Sequence, residues 1–294
     1  MDERDWLATR FEENRAHLHA VAYRMLGSLS DADDAVQESW IRLSRTDTSG
    51  VENLVGWLTT VVARVSLDML RTRRALREEP MEVRLPEPIV TSVDGIDPEH
   101  EALMADSVSV ALLVVLDTLA PAERLAFVLH DMFALPFAEI APIVGRSPTA
   151  TRQLASRARR RVRRATPTHD PDLARQREAV DAFRAAARDG DFDALLAVLD
   201  PDVVLRSEGG AGRPDASAVI RGAPAVARQA LTFAPLAPFG RPALVNGAAG
   251  VVVAPHGRPF AVMAFTVSRG KIVEIDVFVD PELLRRLDPK AFGN

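Results

Sequence analysis

The stretch LPFAEIAPIVGRSPTATRQLASRARRRV, residues 135–162, decides how this chain is interpreted. A helix-turn-helix needs a small residue where its helices cross, a glycine in the turn, and a buried apolar residue in the second helix. Ala141 and Gly145 supply the first two, whereas Thr151, at the third position, is only partly apolar. The Ser-Pro pair beyond the glycine suits the start of the second helix, because a capping side chain precedes a proline at the first helical position. The pattern therefore predicts a helix-turn-helix.

Arginine is concentrated in the second helix of this motif. Residues 140–169 contain eight arginines and no aspartate or glutamate, although the net charge of the chain is −5. Solvated helices usually mix the two signs at i,i+4 spacing, so the run favours DNA binding over a plain solvated face. Residues near the start of such a helix face base edges, and later arginines meet phosphates. The residues predicted to contact DNA are Thr149, Ala150, Arg152, Gln153, Arg157 and Arg160.

Length and composition limit the number of domains and the kinds of site that the chain can contain. A chain of 294 residues suggests about two domains. It has no cysteine, which removes disulfides, thiolate catalysis and cysteine-based metal sites, and its six histidines are scattered. The longest apolar run, residues 110–116, is far shorter than the roughly 20 residues of a membrane span, and the N-terminus lacks a signal pattern. We expect a cytoplasmic chain with no metal, no cofactor and no membrane partner.

The first 77 residues predict three helices. Apolar spacing places them over Asp5–Leu26, from an N-cap at Ser30 to about Ser44, and from Leu54 to an arginine-rich end. Acids at a helix start also stabilise the helix dipole, and for the second helix alone that interpretation is at least as strong as a partner site. The side chains that share one surface of the second helix are Asp31, Asp34, Gln37 and Glu38.

The rest of the chain divides into a linker, a second helical region and a strand-rich region. Residues 78–99 contain four prolines and lack apolar periodicity, so they predict a linker, and its stiff core is the type of extended segment that lies along a partner surface. Helices resume at His100 and continue through the helix-turn-helix to residue 165. From Asp172, two helices precede short strands separated by Asn-Gly, His-Gly and Arg-Gly turns, which predicts an α+β domain with an antiparallel sheet over residues 172–287.

The order of these elements resembles a bacterial RNA polymerase sigma factor of the extracytoplasmic-function class. The matching stretches are residues 31–43, 56–71 and 145–162. The resemblance implies RNA polymerase core, through its β′ and β subunits, and promoter DNA as partners. It implies that the acidic helix docks on the clamp helices of β′, that residues 1–77 form a region 2-like domain, and that residues 100–165 form a region 4-like domain reading the minus-thirty-five element.

The same resemblance assigns the minus-ten element to the first domain. The loop Thr46–Asn53 and the helix after it would capture a flipped base, which suits melting at an easily unstacked step. Trp57 lies on the apolar stripe of that helix and is interpreted as core rather than as a base-stacking residue. The residues of this region assigned to DNA binding are Asn53, Arg64, Arg71 and Arg74.

Residues 172–287 resemble a SnoaL-like domain of the nuclear-transport-factor and ketosteroid-isomerase superfamily, which a sigma factor J-like group carries at its C-terminus. Three motifs of that group are present in altered form, as Arg84–Pro88, Glu208–Ala211 and Asp280–Leu284. The implied architecture is two all-α sigma-type domains followed by an α+β domain that regulates them in cis. The residues that the resemblance assigns to interdomain contact are Leu85, Pro86, Glu87, Pro88, Glu208, Gly209, Gly210, Asp280, Pro281 and Leu284.

Two other classes of function stay open. An isomerase of this superfamily needs a carboxylate base and an oxyanion donor, often a tyrosine, but the only tyrosine is Tyr23, in the other half of the chain. Glu208, His256, Asp276 and Asp280 are acid–base candidates whose spacing does not join them, so no catalytic residue is assigned. A repressor with a helix-turn-helix would usually be a palindrome-binding dimer. A pocket for a small-molecule ligand in the C-terminal domain stays open in every case.

Overall fold

The computed structural model divides the chain into two compact units. One contains Met1–Pro80 and Val115–Ala165, and the other contains Met81–Val114 and Thr166–Asn294. These units do not coincide with the predicted domains, because residues 81–114, which include the linker and the start of the second helical region, belong with the C-terminal sheet. The helix Val110–Asp117 spans the boundary between the two units. The residues that the structure describes are 3–46, 53–76, 85–93, 108–165, 170–210 and 212–289.

The helical unit is built from amphipathic helices around a leucine-rich core. Leu18, Leu58 and Leu67 are completely buried. The second helical region packs onto the first in the same unit, since the buried Arg124 donates from Nε to the carbonyl oxygen of Arg24 at 3.1 Å. The helices are α1 Glu3–Leu26, α2 Leu29–Leu43, α3 Leu54–Leu76, α4 Val110–Asp117, α5 Pro121–Phe127, α6 Phe137–Val144 and α7 Pro148–Ala165.

Three predicted helix boundaries need correction or fall outside the described residues. The N-cap of α2 is Ser28, whose Oγ accepts from the amide of Asp31, and not Ser30. The sequence pattern also predicts a helix over Ala122–Phe133, which the structure ends at Phe127 and continues as a π-helical turn at Val128–Met132. The predicted helix start at His100, and all but the two ends of the loop 46–53, lie outside the described residues.

The second unit contains a seven-stranded sheet in the order β1-β4-β5-β6-β7-β2-β3. The α+β class is confirmed, but the sheet is mixed rather than antiparallel, because β2 pairs in parallel with β7. The alternation of apolar and polar residues along a strand does not show whether its neighbour runs parallel or antiparallel. The parallel pairing therefore could not be predicted from the sequence. The strands are β1 Val90–Thr91, β2 Leu199–Glu208, β3 Ala218–Arg221, β4 Gly240–Val245, β5 Ala248–Val253, β6 Ala261–Ser268 and β7 Lys271–Phe278.

The two faces of this sheet carry separate apolar clusters. Helices pack on one face, where Phe183, Val226 and Phe265 are buried together. The opposite face buries Val252, Val262 and Phe278 with side chains of the linker. The helices of this unit are α8 Leu173–Asp189, α9 Phe192–Val198, α10 Ala223–Thr232 and α11 Pro281–Arg285, of which the last two were not predicted. Among the described residues, no helix has the length and hydropathy to cross a membrane.

Candidate functional site

The predicted acidic surface of α2 is only partly free for a partner. Asp34 and Gln37 are exposed, and Glu38 is partly exposed and pairs with Arg42 at 2.9 Å, one helical turn away. Asp31 differs, because its carboxylate pairs with Arg73 of α3 and it is largely covered. Asp31 therefore ties α2 to α3, while the other three side chains present the acidic surface.

The predicted basic face of α3 is exposed. Arg64, Arg71 and Arg74 all lie at the surface, with Arg71 two helical turns after Arg64 and Arg74 about one turn further. At the start of the helix, the side-chain oxygen of Asn53 accepts from the amide of Gly56 at 3.0 Å, an arrangement that satisfies a free helix N–H group. Trp57 is half-buried rather than part of the fully buried core.

The helix-turn-helix is formed by α6 and α7. Gly145 has a φ of 71°, the left-handed conformation that favours glycine, and its amide donates to the carbonyl oxygen of Ala141 at 3.0 Å. Thr151 is completely buried at the position where the motif needs an apolar residue. Its hydroxyl donates to the carbonyl oxygen of Ser147 at 3.0 Å, so the polar group is satisfied inside the helix. Threonine thus serves in this position despite its hydroxyl.

The start of α7 presents the side chains that were predicted to face bases. Thr149, Arg152 and Gln153 are exposed, and Ala150 is half-buried. The Arg152 guanidinium lies 5.5 Å from the ring centroid of Phe137, close enough for a cation–π contact. That contact limits the motion of the arginine before any DNA is bound.

Part of the arginine run is neutralised inside the helical unit. Glu123 of α5 pairs with Arg157 at 3.2 Å and with Arg161 at 3.3 Å. Asp131 pairs with Arg159 at 2.5 Å. The carboxylates come from elements distant in sequence, so their absence along α7 did not reveal them. The phosphate-binding role predicted for Arg157 therefore competes with an internal ion pair.

The linker lies on the sheet as an extra edge strand. Val90 pairs with Val245 and Thr91 with Leu244 in antiparallel register. The amide of Leu85 donates to the carboxylate of Glu208, and the Leu85 side chain is buried. An unpaired strand edge exposes backbone donors and acceptors, and here the linker satisfies them. We call the surface formed by β4, Glu208, Asn246 and Leu284 the linker seat.

Asn246 holds the linker at two points and was recognised in the sequence only as a turn residue. It is buried, its Oδ1 accepts from the amide of Ile89 at 2.9 Å, and its Nδ2 donates to the carbonyl oxygen of Val108 at 3.0 Å. A φ of 49° places it in a tight turn with Gly247. The Asn-Gly pair predicted the turn, but a turn prediction does not show which groups the side-chain amide of Asn246 binds.

The three motifs of the sequence analysis meet around the linker seat. A β-carbon added at Gly210 would fall inside contact distance of the Asp280 carboxylate, so this glycine permits a close approach. Leu284 joins the same buried cluster as Leu85. Arg286 donates to Glu87 at 3.4 Å. Pro86 and Pro88 of the linker are also buried. Gly209 directly follows β2, and Pro281 is the first residue of α11.

The sheet also separates a cavity from the acid–base candidates. The cavity holds about 360 Å³ on the helix-covered face. Asp276 lies on the opposite face with Arg206, which donates to it at 3.1 Å. Glu208 binds the linker, and Asp280 caps α11 by accepting from Glu282 at 2.9 Å. These three candidates therefore do not form one site, and the fourth, His256, lies in a short 3₁₀ turn at Pro255–Gly257.

Asp276 is a completely buried carboxyl group. Burial raises its pKa to about 7, against the opposing effect of the Arg206 guanidinium and with a further increase from neighbouring Glu274. Arg206 bridges both acids, since it also donates to Glu274 at 2.8 Å. The cluster joins β2 to β7, and none of its three residues is among the described residues that line the cavity.

Comparisons with known proteins identify the family of the two helical regions. Residues 10–76 match the Sigma-70 region 2 family, and residues 109–162 match Sigma-70, region 4. The chain is 40% identical over 290 residues to ECF RNA polymerase sigma factor SigJ of Mycobacterium tuberculosis (strain ATCC 25618 / H37Rv), a match covering 93% of this chain and 92% of the relative. This chain belongs to the extracytoplasmic-function RNA polymerase sigma factors.

One further relative and one solved structure also match along nearly the whole chain. Probable ECF RNA polymerase sigma factor SigI of the same Mycobacterium tuberculosis strain is 34% identical over 301 residues, covering 100% of both chains. The crystal structure of Mycobacterium tuberculosis extracytoplasmic function sigma factor SigJ matches with a TM-score of 0.78 at 36% identity, covering 95% of this chain and 98% of that chain. The similarity therefore includes the C-terminal unit as well as the two sigma regions.

The buried carboxyl of Asp276 should make the stability of the sigma factor depend on pH. Its pKa is about 7 in the folded protein, against about 3.9 for an unfolded aspartate. Between these values the folded state binds more protons, so the free energy of unfolding falls as pH rises through this window. We expect the free energy of unfolding of the wild type to fall by on the order of 2–4 kcal/mol across this window, and that of Asp276→Asn to lack this fall.

Denaturant unfolding of both proteins across this pH range measures the difference. Asp189→Asn is the matched control, because Asp189 is exposed at the end of α8. An equal fall in the wild type and in Asp276→Asn would contradict the assignment.

Proposed function

We propose that this sigma factor docks on RNA polymerase core through α2, reads the minus-thirty-five element with the start of α7, and is regulated in cis by its C-terminal unit. The observation that carries the regulatory part is the linker seat, where Glu208 and Asn246 bind the backbone of Leu85 and Ile89. A factor that works with polymerase and chromosomal promoters acts in the bacterial cytoplasm.

The physical argument concerns the spacing of the two DNA-reading regions. Both must engage one promoter at the same time, so the length and stiffness of the connecting segment set their effective concentration. A linker held as a β-strand has lost most of its reach and its conformational entropy. Release from the linker seat would restore both, which gives the C-terminal unit a means of changing promoter binding.

The C-terminal cavity supports a ligand-binding role rather than catalysis. Asp276, the acid–base candidate of β7, lies on the other side of the sheet, and the one carboxylate among the described lining residues, Asp215, is exposed. A general base must reach the proton that it removes. We therefore propose a small-molecule ligand as an additional partner and no enzymatic activity. Neither an enzyme nor a repressor would require the acidic surface of α2.

Run-off transcription with core polymerase tests the proposal. The full chain should direct promoter-specific initiation, and Asn246→Ala should change its rate by at least about fivefold, the ratio that 1 kcal/mol produces. The variant leaves the amide of Ile89 and the carbonyl of Val108 without their side-chain partner, a loss of about 1–3 kcal/mol for each buried group. Limited proteolysis should cleave near residues 85–91 faster in this variant than in the wild type.

Asn14→Ala is the matched control, since Asn14 is partly exposed and its side chain donates within its own helix, to the carbonyl oxygen of Arg10. Truncation after Asp280 removes Leu284 from the linker seat and should also change transcription. If core polymerase gains no promoter specificity from the full chain, the sigma assignment fails. If Asn246→Ala and both truncations, after Asp280 and after Arg164, transcribe like the full chain, cis regulation fails.

A further inference from the structure

We infer that the cavity of the C-terminal unit binds a small apolar molecule carrying a single carboxylate, with Arg184 as the residue that recognises it. The inference deepens the proposed ligand-binding role and depends on it. It rests on three features of the cavity: the apolar walls, one arginine fixed at its lining, and the N–H donors that this arginine leaves unused.

The walls of the cavity select an apolar body. The volume of about 360 Å³ lies in the lower part of the range of small-molecule pockets. Phe183 of α8, Val251 of β5 and Met263 of β6 line it, and Phe233 stands at the lining with half of its surface exposed. Transfer of apolar surface from water into such a cavity is favourable by roughly 25 cal/mol per Å².

Arg184 is the cavity cation with the most restrained geometry. It projects from α8 and donates to Asp181 at 2.9 Å and to the carbonyl oxygen of Gly240 at 2.7 Å. A guanidinium has five N–H donors, so these two bonds fix the group while leaving donors for a ligand. Its Nε is shut off from solvent and has no acceptor among the described residues. A donor group already held in place loses little entropy when it binds.

The unused donors of Arg184 favour an acceptor group on the ligand. The described lining residues include two arginines, Arg184 and Arg213, and one carboxylate, Asp215, while Asp181 pairs with Arg184 from outside the lining. Arg213 is exposed and its guanidinium lies 5.2 Å from the ring centroid of Phe260, which places a second set of N–H donors over an apolar wall. Hydrogen bonds between a guanidinium and a carboxylate are about twice as strong as those between neutral groups. A carboxylate therefore fits better than an alcohol, and a protonated amine, which only donates, fits worst.

The position of Arg184 also relates the cavity to the linker seat. Its bond to Gly240 reaches the first residue of β4, and β4 is the strand on which the linker pairs. Val251 and Val253 of β5 face the cavity, whereas Val252 between them belongs to the cluster that buries the linker. A ligand would thus contact the same strands that hold the linker, from the opposite face.

Calorimetric titration of the full chain with decanoate, decan-1-ol and decylamine tests the inference, since these probes differ only in their head group. We expect decanoate to bind most tightly and decylamine most weakly. Arg184→Gln should weaken decanoate by about tenfold or more while leaving decan-1-ol unchanged. Arg188→Gln, one turn further along α8 and exposed, is the matched control and should bind all three like the wild type.

The outcomes separate the inference from the proposal beneath it. Equal binding of decanoate and decan-1-ol, or an unchanged decanoate affinity in Arg184→Gln, overturns the carboxylate and leaves the ligand-binding role standing. Ala230→Phe fills the cavity from α10 and should abolish binding of all three probes. If no probe binds the wild type, or if Ala230→Phe binds them equally well, the cavity is not the ligand site and both statements fail.

Discussion

Charge reversal of Asp34 and Glu38 to arginine should abolish binding of the sigma factor to RNA polymerase core. Both side chains lie at the surface of α2, so the change leaves the core of the helical unit intact. Placing like charges across an interface costs several kcal/mol, which corresponds to a loss in affinity of at least about a hundredfold. Asp31 is left unchanged, because its reversal would break its pair with Arg73 and confuse docking with folding.

The control for this variant is the reversal of Glu12 and Glu13 to arginine. These acids are exposed on α1 and pair with Arg15 and Arg10 of the same helix, so the net charge changes equally. Equilibrium binding to core polymerase at several salt concentrations measures the difference, and thermal unfolding verifies that both variants fold. Retained binding of the α2 variant at moderate salt would remove α2 from the docking surface.

Substitution at the start of α7 should relax promoter selectivity, whereas substitution further along should not. Arg152→Ala and Gln153→Ala each remove an exposed side chain from the position that we predict to meet base edges. We expect each to lose about 1–3 kcal/mol of discrimination against a mutated minus-thirty-five element. Arg160→Ala should weaken all sequences alike and reduce the slope of log affinity against log salt by about one phosphate contact.

Competition binding with the polymerase holoenzyme, using promoter and scrambled DNA at several salt concentrations, distinguishes these results. Arg159→Ala is the matched control, since that arginine is already paired with Asp131 and should contribute little to DNA binding. Arg157 is paired with Glu123 but remains half-exposed, so we expect an intermediate loss. Identical behaviour of the Arg152 and Arg160 variants would reduce α7 to a phosphate-binding face.

The sequence predicted those parts of the fold that depend on local signals. The left-handed Gly145, the crossing residue Ala141 and the proline at the start of α7 act within a few residues of one another, so the helix-turn-helix could be placed from the sequence. The order of acidic helix, basic helix and helix-turn-helix then indicated the family. Helix periodicity likewise gave α1 and α3 to within a few residues of their observed ends.

The tertiary structure alone decided which distant groups meet. The pairing of Asp31 with Arg73, and of Glu123 with two arginines of α7, joins residues that no local pattern connects. The exposed acidic surface and the free part of the arginine run are what remains after those pairs form. A charge along a helix is visible in sequence, but its neutralisation depends on what packs against it.

The linker is the clearest case of the same limit. Its prolines predicted an extended, stiff segment that lies along a surface, because proline restricts the backbone of its own segment. Its role as an edge strand required the free edge of β4 and the amide of Asn246, more than a hundred residues away along the chain. The sequence by itself determined the family and the DNA-reading helix, because both rest on short-range patterns. Only the tertiary structure placed the linker on the sheet and the acid Asp276 away from the cavity, because strand order and sheet face depend on long-range pairing.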